Sequence, residues 1–186
     1  MKQVLLEDIA DLNMGLVLAR RKSQEKTPFS YRLLSLKAFD EDYIKDEFID
    51  EFYATQSLEN HYLVRENDIV IRLRLPLKAH VINQNEFLIS SHMLKITLKD
   101  TKAFNPYFVA EIINHSRLEN LAEGQALRLL NVKDIKSITI PYIEIDRQNK
   151  FANIFKTINE RKQTLNELIT KEETLKTIIL KEILNG

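Results

Sequence analysis

The clearest candidate chemistry in this sequence is carried by arginine side chains. Residues 68–75, DIVIRLRL, alternate apolar and basic residues in the way a half-buried strand does. The alternation predicts that Arg72 and Arg74 lie side by side on the open face of a sheet. Because the guanidinium group is a planar fork of donors, it suits both phosphate groups and guanine edges. The strand is therefore a candidate polyanion-binding surface.

Further basic residues could extend that surface. Between positions 20 and 37, six basic residues meet a single acidic one, Glu25. The whole chain is neutral, with 27 basic and 27 acidic residues, but the local field decides whether a polyanion binds. The basic residues that could line one groove are Arg20, Arg21, Lys22, Arg72, Arg74 and Lys78. The alternative is scattered surface charge balanced by the acidic residues between 40 and 51, and the pattern does not decide between the two.

Signatures of catalysis and metal binding are weak. His61, His80, His92 and His115 lack metal-ligand spacing, and the neighbours Ser90, Ser91 and His92 would point to alternating faces of a strand. Three glycines form no phosphate-binding loop, and the chain has no cysteine. The carboxylates at 40–51 are more typical of a solvated loop or helix than of a metal site. We therefore expect a protein that is not an enzyme and holds no metal.

The bulk composition is ordinary for a globular protein. Hydrophobic residues make up 44% of the 186 residues and charged residues 29%. The first residues carry acids where a signal peptide would be apolar, and there is no apolar run of membrane-spanning length. The absence of cysteine fits a reducing compartment. We expect a cytoplasmic protein without a membrane segment.

Short strands and a few helices must position these residues. The patterns predict strands near residues 31–39, 62–64, 68–75, 80–82, 87–90, 93–98 and 137–140. A helix is predicted over residues 107–114, with Asn105 as its cap and Pro106 at its first position. A second helical piece is expected to end near Glu123. Asn131 is expected to cap a single turn, and Asp146 to cap the last helix. The fold class is α+β, with a mostly β domain over 1–143 and a long helix over 144–186.

The last helix is too long and too apolar to stand alone. Residues 145–184 contain neither proline nor glycine and would extend on the order of 50–60 Å. A heptad register places ten residues at its a and d positions: Phe151, Ile154, Ile158, Arg161, Leu165, Leu168, Glu172, Leu175, Ile179 and Glu182. The residues expected to contact a partner are Phe151, Ile154, Phe155, Ile158, Leu165, Leu168, Leu175, Ile179 and Ile183. That partner is the chain's own domain, a second copy or another protein.

Several segments, in order, resemble the DNA specificity (S) subunits of type I restriction-modification enzymes. Residues 5–15, LLEDIADLNMG, resemble the opening segment that leads to a glycine. Residues 66–76, ENDIVIRLRLP, resemble a strand preceded by Gly-Asp, with Asn67 in place of the glycine. Residues 89–98, ISSHMLKITL, and 105–115, NPYFVAEIINH, are similar to the segments that follow. Residues 123–155 look like the segment in which a glycine, a capped turn and an Ile-Pro strand end lead into the spacer helix. Pro141, Asp146 and Gln148 fall at the expected offsets. The extra prolines of the family are missing.

The resemblance implies a mechanism without catalysis in this chain. A target recognition domain would bind one half of a bipartite site in double-stranded DNA, mostly through the major groove. The helix would pair antiparallel with a second such helix as a coiled coil. Family members carry two domains and two helices, so this chain would be a half-subunit that forms a homodimer or pairs with another half-subunit. The resemblance also adds Arg128 to the candidate DNA contacts.

Cofactors would then belong to partner subunits. Methyltransferase subunits that hold S-adenosylmethionine would bind this chain, and an ATP- and Mg-dependent motor-nuclease subunit would bind those. Two other function classes stay open. An oligomerisation or adaptor protein would act through its last helix and would not bind DNA. A small metal-dependent nuclease would use the carboxylates at 40–51 and would cleave DNA once magnesium is added.

Overall fold

The computed structural model describes residues 2–39, 49–74, 77–83, 86–116 and 130–185. The strands are β1 (Gln3–Leu5), β2 (Ala10–Met14), β3 (Ser30–Leu34), β4 (Ile49–Tyr53), β5 (Leu63–Val64), β6 (Ile69–Arg72), β7 (Ala79–Val81), β8 (Phe87–Leu88), β9 (Met93–Leu98) and β10 (Thr139–Pro141). The helices are α1 (Leu6–Ile9), α2 (Pro106–Asn114), α3 (Val132–Lys136) and α4 (Ile145–Asn185). Short 3-10 turns occupy Leu18–Arg20, Leu36–Phe39 and Asn60–Tyr62.

The central layer is an antiparallel sheet in the order β2-β9-β6-β7. Its two faces are covered by different partners. Ile69 and Ile71 of β6 belong to a core cluster that also contains residues of α2, α3 and α4. Val70 lies on the other face, in a cluster shared with residues of β3, β5 and β8. The sheet is therefore buried on both sides, between the helices and a second sheet.

The second sheet has the order β4-β3-β8-β5, with β3 and β8 parallel and the other pairs antiparallel. Its outer face is covered by Leu16 and Leu58 from loops, which pack with Phe52, Leu63 and Leu88. Loop residues thus complete a third core cluster, and the strands of this sheet are held from both faces.

A small sheet joins the beginning of the chain to the residues just before α4. Strands β1 and β10 pair antiparallel, with Val4 opposite Ile140. Backbone hydrogen bonds extend the pairing at both ends, from Leu6 N to Ile138 O at 2.9 Å and from Tyr142 N to Lys2 O at 2.9 Å. The base of α4 is therefore fixed to the β-rich domain through backbone contacts.

Two predicted helix caps are confirmed. The Asn105 side chain accepts hydrogen bonds from the backbone N–H groups of Tyr107 and Phe108, and Pro106 is the first residue of α2. Asn131 and Asp134 form a reciprocal capping box at α3. These short polar side chains satisfy amide groups that the helix itself leaves unpaired.

The predicted cap at Asp146 is wrong. Helix α4 begins two residues earlier than that cap predicts, at Ile145, and Asp146 lies in its first turn. The Glu144 carbonyl accepts hydrogen bonds from Arg147 N and Gln148 N, so Glu144 occupies the cap position. The acidic side chain of Asp146 still suits the positive end of the helix dipole.

Asn67 occupies the position before Asp68 at which the resemblance implies a glycine. Its φ angle is 70°, in the left-handed region that glycine adopts freely and that asparagine tolerates best among other residues. The turn is closed by Asp68, whose carboxylate accepts a hydrogen bond from Arg65 N at 2.8 Å. The substitution therefore keeps the backbone conformation that the glycine would supply.

Gly15 is required by a close approach of two backbone segments. A Cβ atom at this position would collide with the carbonyl groups of Ile89 and Ser90. Gly15 N donates to Met93 O at 3.1 Å, and Leu16 N donates to Ile89 O at 2.8 Å. The glycine lets the chain leave β2 directly against the segment that leads into β9.

Other predictions are corrected in detail. The strand predicted over 31–39 ends at Leu34, and a 3-10 turn follows. Asp50 and Glu51, assigned to a loop or helix, lie in β4 because this segment pairs with β3. The remaining acidic residues between 40 and 48, the helical piece ending near Glu123, and Arg128 lie outside the described residues. The fold class is confirmed, because a β-rich mixed domain is followed by a 41-residue helix.

Candidate nucleic-acid interface and exposed helix

Three of the candidate basic residues lie at one end of the central sheet. Arg72 is the last residue of β6 and is paired with Met93, the first residue of β9. Its backbone N–H donates to the carbonyl of Lys78, just before β7, at 3.3 Å. Arg74 follows two residues after β6 and is exposed. We call Arg72, Arg74 and Lys78 the strand-end cluster.

The face that carries Arg72 is not open, and this prediction is wrong. Val70, on the same face of β6, is fully buried against the second sheet. Arg72 is half-buried at the margin of that contact, and β6 ends before Arg74. Arg72 and Arg74 therefore lie at the end of β6 and not on a solvated face of the sheet.

The second group of basic residues lies on a loop that starts at the same end of the sheet. Leu16, just beyond Gly15, forms a bridge with Ser90 next to the first residues of β9. The chain then runs through the 3-10 turn to Lys22, which forms a bridge with Ala54 beyond β4. Arg20 and Lys22 are exposed and Arg21 is half-buried. Residues 18–26, the basic loop, thus lead from the end of the central sheet that carries the strand-end cluster to the second sheet.

Backbone hydrogen bonds hold the basic loop against β4. Ser23 N donates to Tyr53 O at 2.8 Å, and Thr55 N donates to Arg21 O at 2.9 Å. Thr27 then donates its hydroxyl proton to Ala54 O at 2.7 Å. A surface loop with this many fixed backbone contacts can present its cationic side chains in a defined arrangement.

Two further cationic side chains, Lys26 of the basic loop and Arg32 of β3, were not among the candidates. Lys26 lies over the ring of Tyr53 at 5.8 Å, and Arg32 lies over the ring of Phe87 at 4.6 Å. Both are exposed. The Glu51 carboxylate raises the pKa of Tyr53 through a hydrogen bond to its hydroxyl. The excess of basic residues between positions 20 and 37 was the sequence signal that could have added Lys26 and Arg32.

One lysine of the central sheet is excluded from any ligand surface. Lys95, in β9, is buried, and its ammonium group donates to Leu63 O at 2.8 Å and to Asn60 O at 3.4 Å. Burial lowers the pKa of Lys95. Its role is to connect the central sheet to β5, since its donors are directed at backbone carbonyls.

The base of α4 is fixed to the domain by a buried glutamine. The Gln148 side chain accepts a hydrogen bond from Asn105 N at 3.0 Å and donates to Ala103 O at 2.9 Å and Ile143 O at 2.8 Å. It is fully buried. One side chain thereby joins the helix to the segment that leads into α2, and satisfies three backbone groups at once.

Aromatic side chains extend this contact for two more turns. The ring of Phe151 stacks on that of Phe108 of α2, with centroids 6.4 Å apart, and on that of Phe155 at the same separation. Ala152 is buried against the same core. Phe151 and Phe155, both predicted as partner contacts, are thus half-buried against the chain's own domain.

The rest of α4 is uncovered. The seven other predicted partner residues are exposed, with relative accessibilities from 44% for Ile158 to 69% for Ile183: Ile154, Ile158, Leu165, Leu168, Leu175, Ile179 and Ile183. From Glu160 to Asn185, every side chain except that of Gln163 is exposed. An apolar stripe of this length is typical of a surface that another helix covers.

A family model described as type I restriction modification DNA specificity domain matches residues 1–176. The chain belongs to this family. No curated protein matches it. Among the described residues, no group of three or more histidine, aspartate or glutamate side chains could hold a metal ion. Within that same part of the chain, no helix is both long and apolar enough to cross a membrane.

Solved structures of type I systems share the fold. The S subunit of a type I system from M. genitalium is 17% identical, with a TM-score of 0.58 over 90% of this chain and 41% of that one. The HsdS subunit from Thermoanaerobacter tengcongensis is 15% identical, with a TM-score of 0.57 over 86% of this chain and 37% of that one. A chain from a structure of complex assembly and conformational transition in the type I R-M system is 15% identical. Its TM-score is 0.61 over 88% of this chain and 39% of that one. The chain spans about two fifths of the length of these proteins.

Proposed function

We propose that this chain is a non-catalytic DNA specificity subunit that binds one half of a bipartite target in double-stranded DNA. The proposal rests on two separate surfaces in this member of the type I specificity family. A β-rich domain presents cationic side chains at one end of its central sheet. A helix anchored to that domain then extends far beyond it with an uncovered apolar stripe.

The DNA contacts are assigned to the strand-end cluster and the basic loop. Their guanidinium and ammonium groups are suited to phosphates, and exposed Arg74 and Arg20 are suited to base edges. Lys26, in the basic loop, and Arg32, in β3, are added as exposed cationic side chains that lie on Tyr53 and Phe87. Arg128 remains a candidate from the sequence.

The helix is assigned to assembly. Residues 1–143 would form the recognition domain, and α4 would hold a second domain at a fixed distance, supplied by a second copy or another half-subunit. Methyltransferase subunits that bind S-adenosylmethionine would dock on this assembly, followed by a motor-nuclease subunit that uses ATP and Mg. These partners carry the catalysis, and the complex would work in the cytoplasm.

The proposal is tested by selecting bound duplexes from a random pool and measuring affinity for the selected sequence across salt concentrations. Arg72→Ala and Arg74→Ala are each expected to cost about 1–3 kcal/mol of binding free energy if they contact bases. If they contact only phosphates, each should flatten the slope of log affinity against log salt by about one. The matched control is Lys102→Ala, an exposed lysine beyond the opposite end of β9.

Enrichment of a half-site, and of its inverted repeat when the chain is dimeric, would support the proposal. No enrichment, together with unchanged weak retention in Arg72→Ala and Arg74→Ala, would contradict it. Salt-independent retention of that kind would favour an adaptor that acts through α4 alone. Cleavage of DNA by the purified chain on addition of magnesium would contradict the non-catalytic assignment.

A further inference from the structure

Between Ile154 and Ile179, the exposed stripe of α4 contains two charged interruptions of opposite sign. In the heptad register, Arg161 occupies a d position and Glu172 an a position, and both side chains are exposed. All the a and d residues between Ile154 and Ile179 other than these two are apolar. Charges at such positions cost stability unless they are paired, so their placement restricts how the stripe can be covered.

An antiparallel second copy pairs the two charges with each other. Suppose that Leu165 of one copy lies opposite Leu168 of the other, so that a positions face d positions. Applied along the helix, the same offset places Ile158 opposite Leu175 and Ile154 opposite Ile179. It also places Arg161 of each copy opposite Glu172 of the other. Every apolar a or d residue in this span therefore meets an apolar residue, and each charge meets its opposite.

The competing arrangements bury unpaired or like charges. A shift by one heptad in either direction sets Arg161 against Ile179 or Leu165, and Glu172 against Leu168 or Ile154. A parallel, in-register pair would set Arg161 against Arg161 and Glu172 against Glu172. Polar residues at core positions are the best attested determinants of coiled-coil register and orientation, because the wrong pairings are costly.

We propose that α4 is covered by α4 of a second copy, antiparallel, with the two-fold axis between Asn166 and Glu167 and with reciprocal Arg161–Glu172 pairs that set the register. The interface is isologous, so each residue pair occurs twice. This inference rests on the proposed role of α4 in assembly, takes a second copy as the partner, and adds the register. It also sets the span of the dimer: the Gln148 anchors of the two domains would lie on the order of 55 Å apart along the paired helices.

Charge exchange tests this register in the full-length chain. Sedimentation equilibrium should show that Arg161→Glu and Glu172→Arg each raise the dimer dissociation constant at least tenfold, because like charges then face each other in two layers. The double variant Arg161→Glu/Glu172→Arg should restore dimerisation. An equimolar mixture of the two single variants should form heterodimers, since each charge then meets its opposite. The matched controls, Lys181→Glu and Glu173→Arg on the outer face of the helix, should leave the dimer intact.

Disulfide formation separates the antiparallel register from a parallel one. The chain has no native cysteine, so introduced cysteines report only on this interface. Under mild oxidation, Arg161→Cys mixed with Glu172→Cys should cross-link, and neither variant should cross-link with itself. Self-cross-linking of either variant alone would overturn the proposal, because it would place identical residues opposite each other.

The outcomes also distinguish this inference from the proposed function. A dimeric wild-type chain whose single charge variants remain equally dimeric would overturn the register and leave the association standing. A wild-type chain that stays monomeric at micromolar concentration would overturn both the association and the register. A chain that shows the charge-exchange pattern but binds no specific DNA would leave the register standing and contradict the proposed DNA recognition.

Discussion

The two parts of α4 belong to one continuous helix but have different surroundings. Over its first three turns, Gln148 and Ala152 are buried and Phe151 packs on Phe108 of α2. Beyond Asn159, the apolar side chains are as large and as regularly spaced, yet about half or more of the surface of each is exposed. The first part is stabilised by contacts within the domain. The second part still needs a partner for its apolar surface.

The difference shows what helical periodicity can and cannot reveal. Phe151, Phe155, Leu165 and Ile179 all follow the same apolar spacing, and that spacing predicted a single surface. What separates them is α2, whose first turn contacts α4 at Phe151 and Lys156. The composition also changes, because the anchored part uses aromatic rings and a glutamine whereas the exposed part uses leucine and isoleucine.

Charging the middle of the exposed part should have the largest effect. Leu165→Asp combined with Leu168→Asp places four carboxylates around the proposed two-fold axis and removes two buried apolar layers. We expect a loss of association of more than about 4 kcal/mol, with the melting temperature of the domain nearly unchanged. Analytical ultracentrifugation and thermal unfolding measure the two effects separately. Asn166→Asp, on the outer face, is the control, and a fall in domain stability would break the distinction between the two parts.

Truncating an aromatic in the anchored part should have the opposite signature. Phe151→Ala removes a ring that packs on Phe108 and Phe155. We expect about 2–4 kcal/mol less free energy of unfolding, measured by urea denaturation below the association concentration. Ile179→Ala is the matched truncation in the exposed part and should leave that free energy unchanged. Equal losses in the two variants would contradict the assignment of Phe151 to the domain core.

Removing the glutamine should give a smaller loss in the same direction. Gln148→Ala leaves the backbone groups of Asn105, Ala103 and Ile143 without the partner they have now. We expect about 1–3 kcal/mol less free energy of unfolding, because buried polar groups that lose their hydrogen bonds pay their desolvation cost. Faster hydrogen exchange at the Asn105 amide would locate the effect. Asn153→Ala, at an exposed position one turn further along, should be neutral, and a neutral Gln148→Ala would show that the anchor lies elsewhere.

Local signals in the sequence were enough to predict the elements whose ends are fixed by their own residues. The caps at Asn105 and Asn131 and the strand over 93–98 were predicted correctly, because a cap side chain or a short apolar run acts within a few residues. Asp146 was the exception. The helix starts earlier because the Glu144 carbonyl already accepts hydrogen bonds from the amides of Arg147 and Gln148.

The errors in the candidate site came from contacts between distant parts of the chain. Val70 lies in an alternating strand, and only the second sheet, built from β3, β4, β5 and β8, shows that its face is buried. Acidic residues are unfavourable in strands, yet Asp50 and Glu51 lie in β4 because this segment pairs with β3. Likewise, no signal in the neighbouring sequence predicts that residues 20–22 lie at the end of β4. The backbone bridges at Leu16 and Lys22 place them there.

Helix α4 thus has an anchored part and, by our proposal, a part that pairs with α4 of a second copy. The most direct test is the solution mass of the intact chain and of a chain ending at Asn159. This cut keeps Gln148, Phe151 and Phe155, whereas a cut at Asp146 would remove the anchor as well. We predict a dimer for the intact chain and a folded monomer with a cooperative melting transition for the shortened one. The same monomeric mass in both forms would contradict pairing with a second copy, and an unfolded shortened chain would contradict the independence of the anchored part.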